Sequence, residues 1–184
     1  NFTGDGTVTV AAAQAVNSNA NAAGITNGTG TTSRGTVTFA GASAVSGTVG
    51  AAGAGLLKAI NADGAATTVA FAGNTFAATL NFGGDGTVTT SDNNLTGAVT
   101  TSIINTGTLT SGTSTITGQI GTAALPIKTI NCTTPKTTTL ANDAYAQTLY
   151  VVGTGTILQQ GNFTGALAFA NAAGTLKVSD GKNI

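Results

Sequence analysis

The side chains that could take part in acid–base chemistry are six carboxylates, and all six are Asp because the chain contains no Glu. Glycan cleavage on a repetitive β-fold would need two carboxylates within about 10 Å of each other. Asp85 and Asp92 are the closest pair in sequence, and one turn of a solenoid would not place both on the same face without further help. We therefore expect no catalytic residues and no enzymatic activity.

Four of the Asp residues are followed by Gly. A calcium loop needs Asp at alternating positions, and the run Gly83 to Gly86 resembles a calcium β-roll only until Val88, which stands where the next Asp is required. We predict that these pairs form tight turns in which Gly has a positive φ. The pairs are Asp5-Gly6, Asp63-Gly64, Asp85-Gly86 and Asp180-Gly181.

Imidazole and metal–thiolate chemistry are excluded by composition. The chain has no His and one Cys, so it lacks a Ser-His-Asp triad, a Cys-His dyad and the roughly four ligands of a structural zinc site. We expect Cys132 to be a buried thiol, which is the usual state of a free Cys. No cofactor and no metal are predicted.

Threonine pairs of the form Thr-x-Thr recur along the chain. In other proteins, stacked outward Thr pairs on a flat solenoid face bind ice, but that device needs a fixed period. Here the offsets in sequence are irregular, so we expect no lattice and interpret Thr as a good strand residue that tolerates solvent. The pairs are Thr7/Thr9, Thr36/Thr38, Thr87/Thr89, Thr108/Thr110, Thr113/Thr115, Thr115/Thr117 and Thr137/Thr139.

The charge pattern excludes two classes of partner. Six cationic and six anionic residues among 184 give a formal net charge of zero, which leaves no basic surface for nucleic acid. The most apolar window, residues 51–60, contains Lys58 and is far shorter than the roughly 20 residues that span a bilayer. We expect no nucleic-acid partner and no membrane insertion of this segment.

Short alternating runs bounded by Gly or Asn predict an all-β fold. Only residues 11–23 and 56–61 look locally helical. The clearest strand candidates are Thr7–Val10, Thr36–Phe39, Thr68–Phe71, Thr87–Thr89, Thr115–Thr117 and Leu149–Val152.

Several runs resemble one another, which indicates repeated supersecondary units. Residues 1–8 nearly return as residues 81–88, and residues 94–99 as residues 162–167. A parallel β-helix accommodates short strands, frequent turns and turns of unequal length. With about 20 residues per turn and about 4.8 Å between turns, the chain would form a rod of roughly 40 Å. A β-sandwich is the alternative, and we treat residues 1–184 as one solenoid segment.

A family resemblance covers most of the chain from Arg34 onward. The run Gly35 to Ser43, the run Leu56 to Asn61 and, above all, Ile116 to Ile130 resemble passenger repeats of rickettsial surface-antigen autotransporters of the outer-membrane protein B type. Asp143 to Ala146, followed by Leu149-Tyr150, is similar to a recurring segment of that family. The resemblance implies a right-handed parallel β-helix displayed outside a bacterium.

The resemblance also implies a function and a location. It implies an extracellular, outer-membrane-associated segment that acts in adhesion to host cells and in surface-layer structure, with a host-cell surface protein or neighbouring copies of itself as partner. The alternatives are a self-assembling filament or surface-layer subunit and a polysaccharide-degrading β-helix enzyme. Because the chain begins at Asn1 and contains no Met, we expect it to be a segment of a longer secreted precursor. No binding residues follow from the resemblance.

Overall fold

The computed structural model describes residues 1–16, 24–27, 33–65, 67–133, 135–170 and 173–184. These residues contain 17 strands and one 3-10 turn, Gly53–Gly55. The strands are β1 Thr7–Val10, β2 Gln14–Val16, β3 Arg34–Phe39, β4 Ser43–Val45, β5 Leu57–Ala62, β6 Thr68–Phe71, β7 Thr75–Phe82, β8 Thr87–Ser91, β9 Leu95–Thr101, β10 Thr108–Ser111, β11 Ser114–Ile116, β12 Ile127–Cys132, β13 Thr137–Leu140, β14 Ala144–Val151, β15 Thr156–Gln159, β16 Phe163–Phe169 and β17 Thr175–Val178.

All the strand pairings are parallel, and the strands pair two apart in two long sheets. One sheet runs through the odd-numbered strands β1 to β17, and the other through the even-numbered strands β16 to β2. Strands that are consecutive in sequence therefore follow one another around a turn. Each of them pairs with strands of the turns above and below. This pattern is a parallel β-solenoid. It confirms the predicted parallel β-helix and excludes the sandwich, whose sheets would be built from antiparallel neighbours.

The pairing register aligns residues of successive turns in three columns, which we call ladders and which run the length of the rod. Each ladder contains eight paired residues, so its first and last members are seven turns apart. The first contains Ile25, Val49, Thr75, Leu95, Ile116, Leu140, Gln159 and Val178. The second contains Val8, Val37, Ile60, Leu80, Val99, Ile120, Ala144 and Phe163. The third contains Gln14, Ser43, Val69, Val88, Leu109, Ile130, Leu149 and Leu167.

Alternation along each strand separates the core from the surface. In β8, Val88 and Thr90 are buried whereas Thr87 and Thr89 face outward, and most internal strands repeat this pattern. The inward side chains form one continuous apolar column, which includes an edge-to-face contact between Phe39 and Phe71 with ring centroids 5.9 Å apart. At about 25 cal/mol per Å² of apolar area buried, this column supplies the main stabilising free energy of the rod.

Turn length varies although the ladders stay in register. Neighbouring members of the first ladder are separated by 19 to 26 residues, so loops outside the strands absorb the difference. Seven turns at about 4.8 Å each separate the first and last levels by roughly 34 Å, which agrees with the rod length expected from the sequence.

Both segments that look helical in sequence contain strands instead. Residues 14–16 form β2, and residues 57–62 form β5, while residues 17–23 lie outside the described part of the chain. Leu57 and Ile60 both face the core, and Lys58 and Ala59 between them do not. A spacing of three is typical of a helix, but here it arises where a strand bends around a corner of the solenoid. Pairing with β3 and β7 decides the outcome.

The repeat at residues 94–99 and 162–167 is a corner with a β-bulge. The side-chain oxygen of Asn94 accepts a hydrogen bond from the Thr115 N–H on the next turn at 2.8 Å, and that of Asn162 accepts one from Asn183 at 3.2 Å. Gly97 and Gly165 have φ values of +120° and +151°. At both places the paired strand carries one extra residue, so the register shifts. Glycine is needed because a Cβ would overlap the carbonyl of the preceding turn.

Candidate binding surfaces

Asp85 and Asp92 are held at opposite ends of β8 and each pairs with a different Lys. Asp85 Oδ2 lies 2.6 Å from Lys128 Nζ, and Asp92 Oδ2 lies 2.8 Å from Lys136 Nζ. The five residues of β8 between them correspond to about 16 Å of extended backbone, which exceeds the separation of a carboxylate pair in a glycosidase. The structure does not bring these two side chains together.

A third ion pair has the same design, with Asp5 Oδ2 2.7 Å from Lys58 Nζ. We call the three pairs Asp5–Lys58, Asp85–Lys128 and Asp92–Lys136 ion straps. In each strap the Lys lies two turns further along the rod than its Asp, because the register carries Thr7 to Thr36 to Ala59 and Thr87 to Thr108 to Thr129. Each strap therefore ties three successive turns together on the surface.

The straps lower the pKa of all three Asp carboxyls. For Asp85, the hydrogen bond from Lys128 is the main cause, desolvation opposes it, and a hydrogen bond from the Gly107 backbone adds to the lowering. Asp5 and Asp92 have lowered pKa values for the same main reason, with Lys58 and Lys136 as donors. A carboxyl that acts as a general acid needs a raised pKa, whereas the pKa values of these three carboxyls are lowered.

The first repeat, residues 1–8 and 81–88, supplies the Asp of an ion strap in each of its two copies. Three residues before each Asp stands a Phe, and the Phe ring lies where a Cβ of the next turn's glycine would be. The two pairs are Phe2 with Gly35 and Phe82 with Gly107; these glycines have φ values of +73° and +88°. The self-similarity found in the sequence therefore corresponds to a physical unit of Phe, Asp and strand.

The prediction of a positive φ in the Asp-Gly pairs is correct for Gly181 and wrong for the other three. Gly181 has a φ of +71°, whereas Gly6, Gly64 and Gly86 are not among the positive-φ residues. Glycine is required at position 86 for a different reason, because a Cβ there would come within 2.8 Å of the Thr67 carbonyl oxygen on the preceding turn. Stacking of turns, rather than a hairpin, sets the requirement.

Cys132 is buried, as predicted, but its surroundings are partly polar. Its Sγ lies 3.2 Å from the Thr156 carbonyl oxygen and 3.3 Å from Thr138 Oγ1. Within the described ranges no group of three or more Cys or Asp side chains is placed to hold a metal ion. No helix in the described part of the chain is long and apolar enough to cross a membrane.

The outward positions beside the third ladder form a surface that we call the Thr face. The register aligns single Thr residues across turns of unequal length, but only two of the predicted Thr-x-Thr pairs, Thr87/Thr89 and Thr108/Thr110, stack on this face. The expectation that the chain has no extended lattice of Thr pairs stays a prediction. One file of the face contains Thr68, Thr87, Thr108, Thr129 and Thr148 on five successive turns, and the file beside it contains Ala70, Thr89, Thr110, Asn131 and Tyr150.

The second ladder carries a comparable outward surface, which we call the Asn–Thr face. One of its files contains Thr9, Thr38, Asn61, Asn81 and Thr100, and the other contains Thr7, Thr36, Ala59, Thr79 and Ala98. Its Asn side chains bond to neighbouring turns: Asn61 Nδ2 donates to Thr38 Oγ1 at 3.2 Å, and Thr100 Oγ1 donates to Asn81 Oδ1 at 3.1 Å. The polar groups of this face partly satisfy one another.

An apolar loop patch projects from the middle of the rod. Ile103, Ile104 and Leu125 are exposed, and the two loops that carry them adjoin because Asn105 N–H donates to the Pro126 carbonyl at 2.9 Å. Sequence reasoning missed this patch. The available signal was the Ile-Ile pair, which breaks the alternation expected of a strand.

Comparison with known proteins adds no relative to these geometric findings. No protein-family model matches the chain, and neither a curated protein nor a solved structure matches it.

Proposed function

We propose that this chain is a non-enzymatic segment of a bacterial cell-surface protein of the autotransporter passenger type, acting in adhesion to host cells and in surface structure. The observation that carries the proposal is the apolar loop patch of Ile103, Ile104 and Leu125, which lies away from the exposed apolar residues at the two ends of the rod. Isolated apolar side chains are common on surfaces, but several on two hydrogen-bonded loops are typical of a protein contact site.

The rod supports this role mechanically. Its core is continuous, its ion straps tie the surface of successive turns, and its outward Thr, Ser and Asn side chains present no net charge. Such a rod holds a contact patch away from its point of attachment without needing any chemistry of its own. The resemblance of residues 116–130 to rickettsial passenger repeats agrees with display outside the cell.

Binding of the labelled chain to cultured mammalian cells tests the proposal. We expect saturable binding that unlabelled chain displaces and that protease treatment of the cells removes. The double variant Ile103→Ser/Ile104→Ser should bind at least about tenfold more weakly, since loss of apolar anchors commonly costs more than 1.4 kcal/mol. Ala51→Ser/Ala52→Ser, in another exposed loop, is the matched control and should bind like the parent chain.

Two results would contradict the proposal. Binding that is not saturable would remove the adhesive role, and binding that survives protease treatment would exclude a protein receptor.

The second candidate is a self-assembling filament or surface-layer subunit, and the strand edges favour it. Among the described residues, strands β1 and β2 pair on one side only, as do β16 and β17 at the other end of the ladders. Val8 at one end and Leu167 and Phe169 at the other are exposed apolar residues. Unpaired edges with apolar neighbours are templates for further strands. Concentration-dependent polymers in electron micrographs would support assembly, and a monodisperse chain at high concentration would refute it.

A further inference from the structure

The Thr face carries an uninterrupted file of five Thr on successive turns, whereas both files of the Asn–Thr face are interrupted by Ala or Asn. Among the residues that the structure describes, no hydrogen-bond partner contacts the hydroxyls of the continuous file, whose members are Thr68, Thr87, Thr108, Thr129 and Thr148; in the neighbouring file, Asn131 donates to Thr110 at 3.4 Å. On the Asn–Thr face, by contrast, Asn61 and Asn81 occupy hydroxyls of neighbouring turns. The free file offers a donor and an acceptor at each turn.

The centre of the Thr face, between the two straps, carries uncharged side chains, and the charged side chains at its borders are paired with each other. The strap Asp85–Lys128 lies at the start of the strands β8, β10 and β12, and the strap Asp92–Lys136 lies beyond their ends. Between the straps the outward side chains are Thr87, Thr89, Thr108, Thr110, Thr129 and Asn131, none of which is charged. A face of this kind discriminates against anionic ligands, because it offers no free cation to pair with them.

The spacing of the face is also regular in two directions. Successive turns are about 4.8 Å apart, and the two Thr of one strand are about 6.7 Å apart. Threonine has a restricted χ1, so the hydroxyls form a stiff array rather than an adaptable surface. A ligand that engages several turns of this face must be extended and must repeat its own hydroxyls at similar intervals.

We propose that the Thr face binds an extended, neutral, linear polysaccharide that runs along the rod axis, with successive sugars over successive turns. An extended β-1,4-linked hexopyranose chain advances per sugar by a distance close to the rise of one turn. The second file is interrupted by Ala70, Asn131 and Tyr150. Two of these fit the same ligand, because Asn131 supplies a planar amide and Tyr150 a partly exposed ring beside it. This inference rests on the proposed surface role and adds the class of ligand.

Titration calorimetry with cellohexaose, hexa-N-acetylchitohexaose and β-1,4-mannohexaose tests the inference, with a heparin hexasaccharide as the charged comparison. At least one neutral hexasaccharide should bind, and its affinity should rise from the disaccharide to the hexasaccharide as further turns are engaged. The triple variant Thr87→Ala/Thr108→Ala/Thr129→Ala should bind at least about tenfold more weakly, which is 1.4 kcal/mol. Thr7→Ala/Thr36→Ala/Thr79→Ala, on the Asn–Thr face, is the matched control and should bind like the parent.

Several results would overturn the inference. They are absence of binding to all three neutral hexasaccharides at millimolar concentration, tighter binding of the heparin fragment, and equal losses in the two triple variants when both keep the parent's urea midpoint. Inhibition of ice growth by a chain that binds no sugar would show that the array orders water instead.

The test separates this inference from the proposed function. If the Thr87/Thr108/Thr129 variant loses neither sugar binding nor cell binding, the polysaccharide site fails while adhesion stands. If the parent chain binds sugars but not cells, the proposed adhesion fails while the site stands.

Discussion

Residues 1–8 and 81–88 are nearly the same sequence, yet they have different surroundings in the rod. Both place a Phe ring against a glycine of the next turn and an Asp in an ion strap. Strand β8 pairs on both sides, with β6 and β10, whereas β1 pairs only with β3 in the part of the chain that the structure describes. As a result, Val8 is 50% exposed and the equivalent Val88 is 0% exposed.

This difference teaches that burial in a solenoid depends on neighbouring turns rather than on the local sequence. A Cβ on Gly6 would meet nothing within 4 Å, while one on the equivalent Gly86 would collide with the turn beneath it. The strap, in contrast, uses surface atoms, and the Asp–Lys distances differ by only 0.1 Å between the two copies, at 2.7 and 2.6 Å. Core effects should therefore differ between the copies, and strap effects should not.

The largest expected difference comes from removing the aromatic ring. Phe82→Ala should lower the free energy of unfolding by about 3–5 kcal/mol, since Phe82 is fully buried and a cavity would remain. Phe2→Ala should cost clearly less, because β1 is an edge strand among the described residues and we expect a terminal turn to open locally. Urea denaturation measures the global cost, and hydrogen exchange of residues 1–10 measures the local opening. Equal urea midpoints for the two variants would contradict the comparison.

A smaller but similar contrast is expected at the two glycines. Gly107→Ala forces a side chain into a positive φ and against the Phe82 ring, and we expect a loss of about 2–4 kcal/mol. Gly35→Ala meets the same φ problem, but we expect a smaller loss because the Phe2 ring lies in the first turn and is 8% exposed, whereas Phe82 is 0% exposed. Thermal unfolding of both variants, together with Gly53→Ala as a control at an open positive-φ position, separates backbone strain from the collision. A Gly107 cost no larger than that of Gly53 would mean that the collision contributes nothing.

The ion straps should respond alike in the two copies. Lys58→Met and Lys128→Met each remove a half-exposed pair, and such pairs contribute little to stability. We expect two small and equal decreases in the urea midpoint, and both should disappear in about 1 M salt, where the screening length is about 3 Å. A decrease in one copy only would show that the straps are not equivalent.

The smallest effect is a dependence on acid. Since the folded-state pKa values of Asp5, Asp85 and Asp92 are lowered, the straps contribute fully above the ordinary carboxyl pKa of about 4. The contribution is then lost as the pH falls through the lower folded-state values. Melting temperatures between pH 6 and pH 2 should therefore fall less steeply in Lys128→Met than in the parent. Parallel curves for the two proteins would refute a role of this strap in acid stability.

Much of the fold could be predicted from residue patterns, and the failures have physical reasons. Alternation in Thr36–Phe39 and Thr87–Thr89 indicated strands that the structure contains. Leu57 and Ile60 suggested a helix because their spacing of three also fits a bent strand, and only pairing with neighbouring turns distinguishes the two. The candidate surfaces were less predictable. The members of the Thr file, Thr68, Thr87, Thr108, Thr129 and Thr148, lie 19, 21, 21 and 19 residues apart. These offsets change along the chain, so only the strand pairing reveals that the five residues align.

The amino-acid sequence by itself determined the class of fold and the chemistry that is missing. Alternating Thr and Val, frequent Gly and Asn, and the absence of His and Glu follow from composition and period, which act locally. Tertiary structure alone decided which turns stack, and therefore which Lys reaches which Asp, which glycine lies under a ring and which Thr form a file. These contacts join residues about 20 to 50 positions apart, and the register that creates them arises only when the apolar side chains of successive turns close into one core.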